Sequence, residues 1–502
     1  MKRVFYILFY LIFFMDMGFS KEFQIEQVKT ISENFIDKKN NYTIKSIENI
    51  QYKNRFITMY LVHLDPNGFI IVSADDRTMP VLGYSYSNSI NLDDLPKQLK
   101  KILNSYSESI RYITENDIKQ DSESRKFLNK YLLDNLNIYD NSREIDPLIT
   151  ANWNQGGGWN NMCPGNSLVG CVAVAMGQVM YYWQHPPQGE GYSQYYDPEY
   201  GVISVNFDEF NYNFDNMFDN NPTEDSQLLL YHAGVAVHMD YSPWGSGASV
   251  CWDGPSAQYA LDNHFGFNDI VTCEVKINYT DEEWEILMKD QLDRGWPVVY
   301  RGYSDDAGHA WNIDGYQDNY YHCNWGWGGS ANGYFYFDNL NAGGYNFIES
   351  QAALLNIIPD NIYPPTALFD FQINDLSAQF NDLSQLVNTD EIVSWEWSFG
   401  DGDISIDISP SHTYAEFGNY NVSLTIMNEF GLYSMPHFED IELLDLFGDI
   451  NNDYSVNIVD IVQLVSIILS NDINQNFEVC DLNMDLEINI LDVIILIQII
   501  LD

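Results

Sequence analysis

Beyond residue 147 this chain almost lacks positive charge. Residues 148–502 hold only Lys276, Lys289, Arg294 and Arg301 against 52 acidic side chains, while residues 1–147 hold 19 basic and 20 acidic ones. So acidic a surface repels nucleic acid and anionic lipid, which excludes both as partners, and it favours solubility and divalent cations. The abrupt change near residue 147 also marks a candidate processing boundary. Cysteine is scarce as well. Six in 502 residues are too few for a small disulfide scaffold, and there is no CxxC pair of the kind that holds zinc. Sequence alone leaves the pairing of Cys163, Cys251, Cys273, Cys323 and Cys480 open. Long apolar runs are missing after the first one, residues 4–14, which follows Lys2 and Arg3 and is cut by Asp16 before Gly18 and Ser20. A membrane helix needs about 20 apolar residues, so this shorter run has the order of a secretory signal peptide. Residues 1–20 are therefore expected to be cleaved, leaving a secreted, extracellular protein with no stable membrane span.

What remains is long enough for several domains, since a prior of about 150 residues per domain gives three or four. Residues 21–146 mix helical stretches, 91–113 and 122–136, with a strand-like run at 69–73, and hold no nucleophile paired with a base. Residues 147–359 are rich in Gly, Trp and Tyr. They carry one apolar helix after Gly170 and then strand-like runs at 298–302, 309–316, 320–324 and 333–337, an α+β pattern with helices first and sheet later. A Pro-rich linker, 359–365, precedes a segment to about 444 that alternates apolar and polar residues as a small β-sandwich does. Residues 446–502 contain two similar halves, with Asp449 and Asp481 as equivalent positions, an internal duplication.

The chemistry is concentrated in the second region. Gly170-Cys171 opens a helix whose Val172, Met176, Val179 and Trp183 recur at helical spacing. A cysteine at a helix N-terminus meets unpaired N–H groups and the positive end of the dipole, which favour the reactive thiolate. Taken alone the segment fits a buried structural cysteine better. His309, at the head of a strand-like run, and Asn324, 15 residues on, alter that balance. A thiol needs a base to accept its proton, and the imidazole needs an acceptor to fix its tautomer. The order Cys, then His and Asn well over a hundred residues later, is that of papain-like enzymes. Trp325, next to Asn324, is placed to screen the His–Asn hydrogen bond from water.

These residues carry a resemblance to the streptopain family of secreted bacterial cysteine peptidases. The matching segments are Trp153-Asn-Gln155, Gly170-Cys-Val-Ala-Val-Ala-Met-Gly-Gln178, Met239-Asp-Tyr241, Trp296-Pro-Val-Val-Tyr300, Gly308-His-Ala310, Asp314-Gly315 and His322-Cys-Asn-Trp-Gly-Trp-Gly-Gly329. The resemblance implies a papain-like fold with Cys171 as nucleophile, His309 as base, Asn324 as its partner and Gln155 completing an oxyanion hole with the Cys171 N–H. It makes Ser246, Gly247, Gly308 and Trp325 candidate substrate contacts, and it implies no cofactor for catalysis. Trp244, Cys251 and Trp252 in the same loop match nothing in the family, so subsite preference stays open. Upstream, Gly68-Phe-Ile-Ile-Val-Ser-Ala-Asp-Asp-Arg77 and Pro80-Val-Leu-Gly-Tyr84 resemble the family's inhibitory prosegment, here 21–146. Its 17 basic residues would face a domain that has only four.

Two further modules follow. Trp395-Glu-Trp-Ser-Phe-Gly-Asp-Gly402, His412-Thr-Tyr414 and Gly418-Asn-Tyr-Asn-Val-Ser-Leu-Thr425 resemble a PKD-type β-sandwich over 364–444, with the aromatics expected in its core and nothing catalytic. The last segment, 446–502, resembles a dockerin, a small α module. Asp449, Asn451, Asp453, Asn457 and Asp460, then Asp481, Asn483, Asp485, Asn489 and Asp492, fall at positions 1, 3, 5, 9 and 12 of two EF-hand-type loops, whose hard oxygen ligands suit calcium. Tyr454 and Leu486 stand where such loops carry glycine. The resemblance implies a cohesin-type domain as partner, beside protein or peptide substrates. Three readings remain: an endopeptidase made as a zymogen; a papain-like scaffold without activity that acts through its trailing modules; and a related amidase or amide-transfer chemistry. Retention of Cys171, His309 and Asn324 together favours the first.

Overall fold

The computed structural model describes residues 23–501 apart from 37–41, 54–55, 133–143, 253, 304–307, 338–350, 375, 388–389, 444–446, 452, 454 and 471–476. The expected signal peptide lies outside the described residues, as does Tyr454. The chain divides into two units, Met1–Ile362 and Tyr363–Asp502, so the break falls inside the expected linker.

In the first unit, helix α1 (Ile25–Phe35) precedes strands β1 (Thr43–Tyr52), β2 (Phe56–Asp65), β3 (Phe69–Ser73) and β4 (Val81–Ser85), then α2 (Lys97–Glu115) and α3 (Ser122–Leu132). The single strand expected in this region is thus one of four. Helix α2 starts at Lys97 rather than at residue 91 because Pro96 lies just before it, and the residue preceding a proline is steered away from helical ψ. Residues 91–94 form a turn instead, with Asp94 N–H donating to Asn91 O.

Helix α4 (Cys171–Trp183) follows, buried from Cys171 to Met180. It packs with α5 (Glu224–Ala236) and α6 (Ala257–Phe265) in one apolar core, beyond a short hairpin of β5 (Tyr192–Asp197) and β6 (Gly201–Asn206). Then come β7 (Thr272–Val275), α7 (Asp281–Asp293), β8 (Val298–Tyr303), β9 (Gly308–Gln317), β10 (Tyr320–Asn324), β11 (Gly333–Tyr336) and β12 (Ala352–Leu355). Helix α7 begins where the sequence says it should. Thr280 Oγ1 accepts from Glu283 N–H at 3.2 Å and Glu283 Oε2 from Thr280 N–H at 2.8 Å, a reciprocal cap that satisfies two orphan donors.

All these strands except the hairpin join one ten-stranded sheet in the order β1-β2-β3-β4-β11-β10-β9-β8-β12-β7. The seam is β4 against β11, where Tyr84 faces Tyr334 and Gly83 faces Phe335. A Cβ on Gly83 would lie 2.7 Å from Phe335 Cδ1, so only glycine lets the two strands close there. The N-terminal strands therefore cover an edge that would otherwise present unpaired N–H and C=O groups. Their core is continuous with the sheet: Leu82 and Tyr106 share a cluster with Trp311, Trp325, Phe335 and Tyr336. Cys251 and Cys273 form a disulfide, whereas Cys163, Cys171, Cys323 and Cys480 are free and buried.

The second unit contains a three-stranded and a four-stranded antiparallel sheet, formed by β13 (Phe369–Asn374), β14 (Ser377–Asp382), β15 (Ile392–Ser398), β16 (Ile404–Ser405), β17 (Ser411–Thr413), β18 (Gly418–Asn428) and β19 (His437–Leu443). Phe380, Trp397, Phe399 and Tyr414 fill their core. Helices α8 (Ile458–Ser470), α9 (Phe477–Cys480) and α10 (Ile490–Leu501) enclose a separate small core around Ile450, Leu464, Cys480 and Leu496.

Candidate active site

Cys171 is the first residue of α4, and Gly170 before it has φ 92°. A Cβ on Gly170 would lie 2.6 Å from Met239 Sδ, so both the backbone conformation and the space require glycine. The thiol is buried and accepts a hydrogen bond from Ala310 N–H, N···S 3.4 Å. Burial pushes its pKa up, while the Ala310, Val172 and Cys171 N–H groups and the Lys97 ammonium pull the other way.

His309 lies at the head of β9, opposite Gly302 of β8. Side chains alternate along a strand, so Ala310 faces the α4 core with Cys171, and His309 is on the face of Trp311. Among the described residues the imidazole has no side-chain hydrogen bond. Its pKa is held down to about 4, first by burial and then by the cations Lys97 and Lys101. Both lysines belong to α2. The same first turn crosses the site: Gln98 Nε2 donates to Ala310 O at 3.1 Å and to Trp325 O at 3.4 Å, and Lys97 Nζ donates to Trp244 O at 3.2 Å. Sequence reasoning passed over Lys97 and Gln98. A signal existed, because Lys97, Lys100 and Lys101 fill a first helical turn whose dipole favours acids.

The other expected site residues divide. Gln155 is half-buried, and its carbonyl accepts from Val169 N–H at 2.9 Å, which ties its loop to the segment entering α4. Gly308 pairs with Tyr303 across β8. Asn324 has partners other than His309 in this structure. Its Oδ1 accepts from Gln178 Nε2 at 3.1 Å and Gly326 N–H at 3.3 Å, and its Nδ2 donates to Ala151 O at 2.9 Å. Those partners occupy the amide, so it does not meet His309 here. Trp325 is fully buried between Trp311 and Phe335 with Nε1 donating to Ala331 O, and its carbonyl accepts from Gln98 Nε2. Ser246 Oγ donates to Leu168 O at 2.6 Å and accepts from Ser242 N–H at 2.9 Å. Gly247 exchanges two backbone hydrogen bonds with Asp240. Both residues brace their loop.

The two acidic loops repeat each other. Asp460 Oδ1 accepts from Ile450 and Asn451 N–H and Oδ2 from Asn457 N–H; Asp492 does the same toward Asn483 and Asn489. Asp453 N–H donates to Asp449 Oδ1, and Asp485 N–H to Asp481 Oδ1, each at 3.1 Å. An all-oxygen set of this kind fits a hard cation. Asn457 and Asn489, expected as ligands, also have a second role. Each Oδ1 accepts from the N–H two residues on, Val459 or Leu491, at 2.8 Å, so they cap the helices. Leu486 has φ 68°, which confirms a left-handed backbone where glycine would relieve strain. Sequence reasoning also missed Asp401, Asp403 and His412, whose ligand atoms lie within 4.8 Å of one another. His412 stacks on Phe399 and contacts Asp401 Oδ2 at 2.7 Å, an arrangement that closes the turn.

A cysteine at a glycine-ended helix N-terminus, packed against a sheet that carries a histidine, defines a papain-like cysteine peptidase. Residues 153–335 match the Peptidase C10 family, 20–110 the Spi protease inhibitor family, 364–439 the PKD domain and 447–501 the dockerin type I domain, a calcium-binding module. Streptopain of Streptococcus pyogenes is 30% identical over 334 residues, 60% of this chain and 81% of its own length. The thiol protease/hemagglutinin PrtT of Porphyromonas gingivalis is 26% identical over 464 residues, 85% of this chain and 51% of its own length. A solved fragment of prointerpain A from Prevotella intermedia is 30% identical, with a TM-score of 0.51 over 62% of this chain and 98% of that one. The chain therefore belongs to the streptopain family, Peptidase C10.

Proposed function

We propose that this cysteine peptidase is secreted as a latent endopeptidase and that residues 21–146 keep it so. The observation that carries this reading is the first turn of α2 lying across the site, its Gln98 bonded to Ala310 O and its Lys97 acting on His309, while among the described residues no hydrogen bond joins His309 to Cys171. Once that turn leaves, the imidazole is free to swing toward the thiol and take its proton. The thiolate then attacks the peptide carbonyl, and the Cys171 N–H and the Gln155 amide stabilise the oxyanion. Expulsion of the amine, protonated by His309, leaves a thioester. Water activated by the same imidazole hydrolyses it, releasing the acid and restoring the thiol.

Residues 144–149 support a maturation point before Ile145. Leu148 N–H donates to Asp314 O at 2.8 Å, Ile149 N–H to Asp314 Oδ2 at 2.9 Å, and Ile145 bridges Tyr316. A chain cut upstream keeps these ties; one cut inside them loses a strand contact. The expected range of cleavage, 140–150, thus narrows to its start, of which 140–143 lie outside the described residues. The test is a peptidyl epoxide, followed by peptide mapping and N-terminal sequencing. Cys171 should be labelled in the cleaved chain and spared in the intact one, with the new N-terminus at or before Ile145. Equal labelling of both forms would remove latency from the reading.

The same contacts give conversion a pH dependence. A free imidazole titrates near 6.5, whereas docked His309 is held at about 4. Between those values the separated state binds a proton that the docked state does not. Docking is therefore undiminished above about pH 6.5 and weakens as pH falls toward 4. Conversion of the full chain, normalised to the mature enzyme's own pH profile, should accelerate over that window. Lys97→Gln with Lys101→Gln should narrow it, separating His309 from His185, His232 and His238, which burial also depresses. A flat normalised profile would contradict the account.

The acidic loops would hold calcium through Asp449, Asn451, Asp453, Asn457 and Asp460 and through Asp481, Asn483, Asp485, Asn489 and Asp492. Their module would carry the enzyme to a cohesin-type domain. Proteins or peptides are the substrates.

A further inference from the structure

Helix α4 and strand β9 meet at more than the thiol. Three neutral amides, Gln178, Asn312 and Asn324, are buried between them, the first two completely. Asn312 Nδ2 donates to Gln178 Oε1 at 2.9 Å and to Ala175 O at 3.2 Å. Gln178 Nε2 donates in turn to Asn324 Oδ1 at 3.1 Å and to Ala151 O at 2.8 Å. One side chain thus bonds β9, β10 and the segment at Ala151, which leads into the Gln155 loop.

The spacing gives this cluster its meaning. Gln178 lies seven residues after Cys171, two helical turns or about 10 Å along the axis, and so on the same face of α4. Asn312 lies two residues after Ala310 and so on the same face of β9. Helix and strand are therefore pinned at two points, Cys171 Sγ to Ala310 N–H and Gln178 to Asn312. A single tie would let α4 pivot or slide against the sheet; two ties fix its register. An apolar trio would fill the space without the desolvation cost of three amides, but it would have no directional preference.

We propose that Gln178, with Asn312 as its partner, is a positioning residue that sets the Cys171 helix against the His309 strand. Gln178 touches neither substrate nor either reacting atom. It acts through the placement of Cys171, His309 and Gln155 together, and the proposal rests on the Cys–His reading of the site. A misplacement of about 1 Å costs about 100-fold in rate, and the loss should appear in the chemical step, since no substrate contact changes.

The experiment is Gln178→Met in the full-length protein, matured and then titrated with a peptidyl epoxide so that kcat is expressed per reactive Cys171. A fall of about 10- to 100-fold in kcat per titrated site, with KM within about two-fold, is the expected result. Asn312→Ser removes the same hydrogen bond from the strand side and gives the same readout should Gln178→Met fail to mature. The double variant should lose little beyond either single one, because the two residues share one interaction. A lowered titrated fraction or Tm with kcat per site unchanged would make Gln178 a stability residue and overturn the proposal. Failure of the epoxide to label Cys171 in the unaltered enzyme would instead overturn the reading beneath it, and the proposal with it.

Discussion

Replacing Cys171 with alanine should abolish proteolysis and leave the full-length chain uncleaved when it is incubated alone. Cys171 is the first residue of α4, where the helix N-terminus and the Ala310 N–H converge on its sulfur. Without a thiolate no thioester forms, and no other free cysteine can substitute. Cys163 is held as a thiol by burial, its pKa pushed up to about 12, and Cys323 is buried and shifted upward as well. His309→Ala should do nearly the same, because removing one member of a unit costs about as much as removing all of it. Casein digestion and gel analysis of the purified full chain measure both outcomes. Casein cleavage by Cys171→Ala protein free of other proteases would sink the assignment of the nucleophile.

Much of this was legible from local pattern. Gly170 before an apolar helix announced α4, and the runs after Trp296 became β8 to β11 nearly residue for residue, because buried strands and helices carry their signal within a few residues. What depends on pairing between distant segments was not legible. Strands β2 and β4 are apolar like β3 and β1 is mostly polar, yet only the partner across each ladder shows that they extend the enzyme's own sheet. Asn324 bonds Gln178 in this structure, where the sequence suggested His309. A side-chain amide bonds whichever donor the fold brings nearest, and here Gln178 does so. The same reason hid Asn312 and Gln98: a neutral amide in a sequence carries no sign of being buried. The duplicated acidic loops were legible as a dockerin-type module, since their spacing is local. Only the capping role of Asn457 and Asn489 needed coordinates.

Those loops carry the second large effect. Residues 446–502 should fold only with calcium. The core they enclose is small, formed by Ile450, Leu464, Cys480, Leu482, Val493 and Leu496, and a domain of this size rarely holds without a metal or a disulfide. Cys480 is a free thiol, so no disulfide assists. Within each loop three carboxylates crowd together, and Asp460 and Asp492 are fully buried, where an uncompensated charge is costly. Three backbone N–H groups on Asp460 offset part of that cost, and a divalent cation would offset the rest. Because the cation binds the folded form, stability should grow as RT ln(1 + [L]/Kd), about 2.7 kcal/mol at a hundred-fold excess over Kd. Asp460→Ala or Asp492→Ala should each abolish one site and leave the module partly unfolded in saturating calcium, since both the cation and the buried backbone N–H groups lose their partner. Leu486→Gly should act in the opposite direction, relieving a side chain held at φ 68°. The peptidase should keep its activity in chelator, because the Cys–His mechanism proposed for it uses no metal. Circular dichroism of residues 446–502, emptied with EDTA and titrated with calcium, reads the outcome as helicity. Full helicity in EDTA, unchanged by calcium, would show that the side chains of Asp449, Asp453, Asp481 and Asp485 do not serve a cation.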